Sequence, residues 1–389
     1  MQLVEVSTPQ QAREFLEFPP RVIYRHDPNY IRPLNQDVEQ VFDPQKNKYF
    51  RHGQLTRWLL LDGQGQTIGR VAAFINERTA HTMEQPTGGM GFFECVDDQG
   101  AANVLLDACR DWLAARGMEA MDGPINFGDR DQWWGLLIDN FGPPTYTVNY
   151  NPPYYQRLLE TYGFQVYFKQ YTYSRKVADM LTEDYQRRAE RLFKGSGYSF
   201  EHLRLKQLAK YTEDFRQVYN KAWVNHAGVK EMTTAQASSI MTKLRPVLEE
   251  KITWFAYYQG EPVGFFISLP ELNQLFRHVN GNLNWWGKLK FAYYRWRGAV
   301  DTFTGIAFGI VPAHQRKGVE AMLVLAASKV VQDTSKVPYE NFVMNWIGDF
   351  NPKMMKVAER VGGKIWRTHA TFRFLFDRNK PFERAKAIG

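Results

Sequence analysis

The sequence predicts an α/β protein (α+β in some classifications) built from two similar units in tandem. Three observations carry this prediction. The chain of 389 residues is longer than one typical domain, strand-like and helix-like apolar runs alternate along it, and their order in the first half returns in the second. We therefore expect an amino-terminal domain at residues 1–180 and a carboxy-terminal domain at residues 181–389.

Each unit begins with a predicted β-hairpin that starts at a tryptophan. Trp58 and Trp254 each open an apolar run, and a glycine-containing turn joins it to a second apolar run. Gly69 and Gly264 occupy the same place in these second runs, and 195 positions separate them. The matching order indicates a duplication.

A strand, a helix, a strand, a short helix and a final strand follow in each unit. The first three segments are 90–96, 101–116 and 118–122 in one unit, and 306–311, 319–331 and 340–346 in the other. The short helices begin at Asn151 and Asn351, because asparagine can cap a helix and the proline that follows can occupy its first turn. Glycine ends both helices, and alternating aromatic strands follow at 165–173 and 364–376.

Composition narrows the class of protein. Cys95 and Cys109 are the two cysteines; they exclude a disulfide framework and lack the spacing of a metal site, so we expect no metal, and Cys109 is expected in the core. No run approaches the ~18 apolar residues that cross a bilayer, and the first residues lack a secretory pattern. We therefore expect a cytoplasmic protein without a membrane span. The net charge of +8 favours anionic ligands but selects none.

The most informative segment is the turn between the predicted strand 306–311 and the predicted helix 319–331. Gly318 precedes the helix, and glycine lets the backbone approach a ligand closely. A helix start offers unpaired backbone N–H groups and partial positive charge, and Arg316 and Lys317 add two cations. The turn is therefore predicted to bind phosphate or diphosphate.

This turn reads Gln-Arg-Lys-Gly-Val-Glu at 315–320. It resembles the acyl-CoA-binding motif of the GNAT N-acyltransferase superfamily, Gln/Arg-x-x-Gly-x-Gly/Ala, although Glu320 stands where the family has a small residue. The order of elements in both halves is also that of the GNAT fold. The resemblance therefore implies two tandem GNAT-like domains, each a mixed central sheet flanked by helices. Asp97 and Asp98 stand at the corresponding turn of the first half, so we expect that half to lack a coenzyme site.

The resemblance also implies acetyl-CoA or a longer acyl-CoA as co-substrate. Strand residues up to Ile310 and Val311 would pair with the pantetheine arm. The diphosphate would lie on the turn, at Gln315, Arg316, Lys317, Gly318 and Val319. Asn351 corresponds to an asparagine that often contacts the pantetheine; a helix cap is the alternative.

The general base has no clear position, because the strand before the turn contains no acid. Glu94, on the matching strand of the first half, is a candidate base, and a structural ion pair is the alternative. Asn345 and Trp346 end a strand near the expected thioester. Asn345 is a candidate catalytic residue and Trp346 a candidate substrate contact, whereas simple packing would explain both equally.

Two polar segments are candidates for binding the acceptor. Asn126, Asp129 and Arg130 follow a strand, and strand ends are favoured binding positions in open α/β sheets; a surface loop whose charges pair with one another is the alternative. Asn225 follows a helical pattern and could lie over the second-half site. The alternative there is a core tryptophan beside a solvated histidine.

Segment 284–298 interleaves tryptophans and tyrosines with lysines and arginines. Such segments can stack on nucleobases or lie on a membrane surface. An amphipathic helix packed on the domain, with its cations in water, is the more common structure. If the acyl group is long, this segment could cover it.

These observations predict an acyl-CoA-dependent N-acyltransferase whose acceptor is a small-molecule or protein amine, without a nucleic-acid partner. Two alternatives stay open. A Fem-like aminoacyl-tRNA-dependent transferase also uses two GNAT-like units, and the basic aromatic segment is compatible with tRNA. A non-catalytic GNAT-like binding protein would account for Glu320 and for the missing acid and base.

Overall fold

The computed structural model describes residues 1–82, 84–223, 231–333 and 337–387. Its strands are β1 Gln2–Glu5, β2 Gly53–Leu61, β3 Thr67–Asn76, β4 Thr87–Cys95, β5 Ala120–Gly123, β6 Leu136–Asp139, β7 Gln165–Lys176, β8 Tyr198–His202, β9 Trp254–Tyr258, β10 Glu261–Pro270, β11 Thr302–Ile310, β12 Asn341–Gly348 and β13 Lys364–Leu375. Its α-helices are α1 Pro9–Phe18, α2 Asn35–Phe42, α3 Glu77–Ala80, α4 Gln99–Ala114, α5 Tyr154–Tyr162, α6 Glu183–Phe193, α7 Leu208–Trp223, α8 Thr234–Leu244, α9 Asn273–Phe276, α10 Trp285–Trp296, α11 Val319–Val331 and α12 Pro352–Arg360.

The described strands form one continuous mixed sheet. Its order is β1-β2-β3-β4-β5-β13-β7-β12-β11-β10-β9-β8, with β6 paired to β13 outside this path. The pairs β4–β5 and β11–β12 are parallel, and the other pairs in this sheet are antiparallel. The two predicted hairpins are β2–β3 and β9–β10. The predicted α/β class with mixed sheets is confirmed.

The two halves exchange their last strands. Strand β13, from the end of the second half, lies between β5 and β7, and β7, from the first half, lies between β13 and β12. The sequence predicts the order of the elements but not this exchange, because an alternating apolar pattern specifies which face of a strand is buried and not which strand lies beside it.

Two buried arginines on β13 fasten the exchanged strand to the first half. The Arg373 guanidinium donates to both carboxylate oxygens of Asp122 on β5, at 2.6 and 2.8 Å. Arg367 is 1% exposed and donates to the carbonyls of Asn140, Gly142 and Pro143 at 2.9–3.0 Å. Such bidentate and charge-assisted bonds fix geometry as well as contributing energy.

Each half has its own main helix packed on the sheet. Leu105 and Cys109 on α4 are fully buried in the first core, as expected for Cys109. Met322 and Leu323 on α11 are buried in the second. Helix α11 has the predicted bounds, whereas β11 begins four residues before the predicted strand and Val311 lies just past its end. No described helix is long and apolar enough to cross a membrane.

We expect Arg373→Met to lower the free energy of unfolding by about 3–5 kcal/mol, because the Asp122 carboxylate would stay buried without its partner. Replacing both residues, as Asp122→Leu with Arg373→Met, should recover most of that loss. Urea denaturation followed by circular dichroism measures both changes.

The control for this variant is Arg384→Met, which removes a partly exposed ion pair with Asp349. It should change the free energy of unfolding by less than about 1 kcal/mol. Equal losses in the two single variants would contradict the proposed role of the buried pair.

Candidate functional site

The site begins where β11 and β12 part. Their parallel pairing runs from Thr302–Asn341 to Gly305–Met344 and stops there. A bulge at Ile306 interrupts β11 against β10, and a second bulge at Asn345 and Trp346 interrupts β12 against β7. Bulges bend a strand and redirect side chains, and they recur beside active sites. The two strands therefore separate at the point where the sequence resemblance places a thioester.

A cavity of about 510 Å³ extends from this gap between the sheet and helices α11 and α12. Its lining includes Gly305, Ile306, Ala307 and Phe308 from β11, Met344 to Gly348 from β12, Val324, Ala327, Ser328 and Val331 from α11, and Met354, Val357 and Ala358 from α12. The volume lies in the range of sites for small-molecule ligands.

The far end of the cavity is apolar. Ile252, Phe303 and Phe342 form its walls, close to the start of β11 and β12. Two polar residues, Ser328 on α11 and Gln332 directly after it, have partners within the protein. Ser328 donates to the Leu325 carbonyl at 2.9 Å, and Gln332 donates to backbone carbonyls after β7. This end can therefore accept a hydrocarbon but offers little to a polar ligand.

The near end of the cavity carries the polar groups. Asn345 Oδ1 is buried and has no hydrogen-bond partner among the described residues. Trp346 Nε1 donates to the Arg130 carbonyl at 3.1 Å, and Arg130 itself lines the cavity. A buried polar atom without a partner is costly, so Asn345 is placed to accept a hydrogen bond from a ligand.

The turn at the start of α11 has features that can receive an anion. Arg316 and Gly318 both have left-handed backbone angles, with φ of +63° and +77°. No side chain caps α11, so its first backbone N–H groups are not satisfied in that way. Gln315 is tied to the end of β11 by a 3.0 Å bond from its Nε2 to the Ile310 carbonyl. Arg316 and Lys317 are exposed beside this helix start.

Helix α6 packs along α11 and restricts this turn. At a φ of +77° any residue with a β-carbon would be strained at position 318, and its β-carbon would lie 2.4 Å from Leu192 Cδ1. Burial raises the pKa of the Tyr185 phenol on α6 above its ordinary value, and the negative charge of Glu320 raises it further. Glu320 is therefore near the side of α11 that packs on α6.

The corresponding places in the first half are filled by the chain itself. The Asp98 carboxylate accepts the Ala101 N–H at 2.6 Å and so caps α4 where an anion would bind. The Ile125 N–H donates to the Met90 carbonyl at 2.7 Å, which closes the space beside β4. A cavity of about 80 Å³ remains. That the first half lacks a coenzyme site stays a prediction.

Glu94 lines this small cavity and not the large one. Its carboxylate accepts hydrogen bonds from the Tyr24 and Tyr155 hydroxyls at 2.8 Å, and Arg70 lies 3.5 Å away. Burial raises the pKa of Glu94, and Arg70 opposes that shift. This network fits the structural ion pair that the sequence left open better than it fits a general base.

The other predicted residues divide between the site and its surroundings. Asn351 lines the large cavity and also caps α12, since its side chain accepts the Met354 N–H at 3.3 Å. The exposed Asp129 carboxylate accepts hydrogen bonds from the Tyr49 hydroxyl at 2.7 Å and from Lys48 Nζ at 3.2 Å. Asn126 is 3% exposed in the loop after β5. Asn225 lies outside the described residues.

Several cavity residues could not be found from the sequence. Arg175 on β7 lines the cavity, and its guanidinium donates to the carbonyls of Val361 and Asp179. Leu181 reaches the cavity from the segment between the halves. Both arrive through the strand exchange, for which local patterns give no signal. Within the described residues no cluster of His, Cys, Asp or Glu could hold a metal ion.

Two curated proteins resemble this chain in sequence over nearly its whole length. No family model matches the chain. A bacterial ceramide synthase from Caulobacter vibrioides (strain NA1000 / CB15N) is 26% identical over 375 residues, which cover 96% of this chain and 97% of that protein. Protein YghO from Escherichia coli (strain K12) is 22% identical over 371 residues, with 92% of each chain covered.

Two solved structures have a similar fold. A tandem GNAT protein from the clavulanic acid biosynthesis pathway gives a TM-score of 0.53 at 11% identity and covers 97% of this chain and 99% of its own. A GCN5-related glucosamine N-acetyltransferase region of a fungal multi-domain β-N-acetylglucosaminidase gives 0.55 at 11% identity and covers 96% of this chain and 38% of that one. The chain therefore has the tandem GNAT fold.

Proposed function

We propose that this protein transfers a long acyl group from acyl-CoA to an amine. The main support for this proposal is the apolar cavity that continues from the gap between β11 and β12, because it offers space for a hydrocarbon chain. An acetyl group would need only the near end of this space. Phe303 and Phe308, which both line it, are five positions apart on β11, which is about 16 Å in an extended strand.

Coenzyme A fits the groups around this gap. Its diphosphate would bind the uncapped start of α11, where the helix dipole, Arg316 and Lys317 supply positive charge. The pantetheine arm would follow β11 beyond Gly305, where pairing with β12 has ended. Asn345 would accept a hydrogen bond from an amide N–H of that arm or from the attacking amine.

The acyl chain would pass from the gap toward Phe303 and Val331. Each buried methylene contributes about 0.8 kcal/mol. A chain that fills the apolar end therefore gains binding energy that an acetyl group lacks. Ser328 and Gln332 do not oppose this, because their polar groups are already bonded to backbone carbonyls.

The acceptor is proposed to be the amine of a lipid-like molecule. The curated relative from Caulobacter is named a ceramide synthase, and a ceramide is an amide of a fatty acid and a long-chain amino alcohol. Arg130 and Trp346, at the near end of the cavity, would border the acceptor. Acyl-group transfer itself is also consistent with the fold of the GNAT neighbours.

In the reaction the amine nitrogen attacks the thioester carbonyl, the new C–N bond forms, and the C–S bond breaks to release coenzyme A. Among the described residues that line the cavity there is no Asp, Glu, His, Cys or Lys. In this proposal the ammonium group first gives one proton to water, and after the attack a second N–H proton passes to the departing thiolate, which leaves as the coenzyme A thiol. The protein contributes the orientation of the amine and the thioester.

A direct assay tests this proposal. Purified protein is mixed with palmitoyl-CoA and a long-chain amino alcohol, and mass spectrometry measures the amide. We expect amide and free coenzyme A in equal amounts. Acyl-CoA binding by calorimetry without product would favour the non-catalytic alternative, and transfer only from an aminoacyl-tRNA would favour the Fem-like one.

Reversing the cations of the turn should weaken coenzyme binding. We expect Arg316→Glu with Lys317→Glu to raise the Kd for palmitoyl-CoA roughly tenfold to a hundredfold, because two attractions of about 0.5 kcal/mol each become repulsions of similar size. Calorimetry at low and high salt measures the effect, which should shrink at high salt.

The matched control reverses two exposed cations elsewhere, as Lys243→Glu with Lys364→Glu. This variant has the same net charge as the test variant and should keep the wild-type Kd. An equal loss in both variants would mean that overall charge, and not the turn, attracts the coenzyme.

Filling the cavity should shorten the acyl group that the protein accepts. We expect Ser328→Phe to lower kcat/KM for palmitoyl-CoA about 15-fold, because loss of about two methylene contacts costs roughly 1.6 kcal/mol. Short acyl-CoA should react as before. Ser328→Ala is the control and should leave both substrates unchanged. A parallel loss for long and short chains would contradict a chain-binding role for this cavity.

A further inference from the structure

Helix α10 exposes a set of large apolar side chains that the acyl-transfer site does not use. Trp285 and Trp286 are each 66% exposed, Leu289 is 44%, Tyr293 is 51% and Trp296 is 81% exposed. These are five of the thirteen strongly exposed large apolar residues among the described ones, and they lie within twelve residues. Scattered exposed apolar residues are normal, whereas a cluster marks an interaction surface.

The five side chains share one face. At about 100° per residue, Trp285, Trp296, Leu289, Tyr293 and Trp286 fall within an arc of about 100°. Gly287, Phe291 and Tyr294 project from the opposite side, against the protein. The exposed arc is therefore a continuous apolar stripe along the whole of α10.

The inner face holds α10 firmly on the second half. Phe291 packs on Phe276 with ring centroids 5.5 Å apart, and Tyr294 stacks on His278 at 3.6 Å. Asn284 caps the helix by accepting the Gly287 N–H at 2.9 Å. Because these contacts already fix the helix, its outer stripe is not needed to hold the fold together.

Cations border the stripe on both sides. In the same helical projection Lys288 and Arg295 lie beyond one edge, and Lys290 and Arg297 lie beyond the other. Arg295 pairs with Glu249 at 3.0 Å, whereas Lys288, Lys290 and Arg297 form no ion pair in the part of the chain that the structure describes. The net charge of the chain has the same sign, at +8.

We propose that α10 seats this protein on the surface of a bilayer that contains anionic lipids. Tryptophan and tyrosine favour the interface between headgroups and acyl chains. Helices that lie in this interface combine an apolar face with flanking lysines and arginines. Basic residues near an anionic surface contribute about 1 kcal/mol each. The stripe supplies the apolar contact, and the flanking cations supply selectivity for anionic lipid.

The position of α10 relates this surface to the cavity. Phe291 and Tyr294 belong to the same apolar cluster as Phe303, Val331 and Phe342, which line the far end of the cavity. The inner face of α10 and the far end of the cavity therefore share one apolar cluster. The binding of α10 to lipid stands on the exposed stripe alone and does not depend on the acyl-transfer proposal.

Vesicle sedimentation tests the proposal with the full chain. We expect binding to vesicles of phosphatidylcholine with phosphatidylglycerol, and much weaker binding to phosphatidylcholine alone. Trp285→Ser with Trp286→Ser and Trp296→Ser should weaken binding to the anionic vesicles roughly tenfold or more. Lys288→Gln with Lys290→Gln and Arg297→Gln should reduce the preference for anionic lipid.

The matched control removes exposed apolar side chains elsewhere, as Met180→Ser with Ile240→Ser and Ile365→Ser. It should bind vesicles like the wild type, and circular dichroism should show all variants to be folded. Absence of vesicle binding by the wild type, or equal loss in the control, would overturn the proposal. A wild-type dimer in light scattering that becomes a monomer in the tryptophan variant would also overturn it. Binding of tRNA without binding of vesicles would overturn it as well.

Discussion

The separation of β11 from β12 is the constraint on which the rest of the site depends. Pairing stops at Gly305 and Met344, and bulges on both strands turn them apart. This departure from a regular sheet leaves backbone unpaired and opens the cavity beneath α11. It also brings the Asn345 oxygen, which has no hydrogen-bond partner among the described residues, to the near end of the cavity. The turn that is proposed to bind the diphosphate follows directly after β11. The coenzyme, the acyl chain and the acceptor are thus all proposed to meet where β11 and β12 separate.

The two halves share a fold but differ at the start of the main helix and in the gap beside it. In the first half an aspartate caps α4, a returning segment closes the gap beside β4, and Glu94 is held by two tyrosines and an arginine. In the second half the helix start is uncapped and the gap is open. The strand exchange binds the two together, so that Arg175 and Arg130 of the first half line the cavity of the second. Residues of the first half therefore form part of the lining of the cavity in the second half.

Much of the fold could be predicted from the sequence, because it follows from local rules. The bounds of α11 come from apolar spacing and a preceding glycine, and the hairpins come from alternation and turn residues. The strand exchange could not be predicted, because it is a choice of partner between strands with the same pattern. The residues of the candidate site divide in the same way. The turn at Gly318 can be recognised in the sequence, whereas Arg175 and Leu181 reach the cavity only through the strand exchange. Glu94 is recognisable in the sequence as an acid in an apolar strand, whereas its tyrosine partners lie far away in the sequence.

The central claim is that the space between α11 and the sheet holds an acyl chain whose coenzyme is bound at Gly318. A crystal structure with a non-hydrolysable analogue of palmitoyl-CoA tests it most directly. We expect the diphosphate at the start of α11, the thioester position beside Asn345, and the chain extending toward Phe303 and Val331. A chain lying on the protein surface with this space unfilled, or a coenzyme bound in the first half, would contradict it.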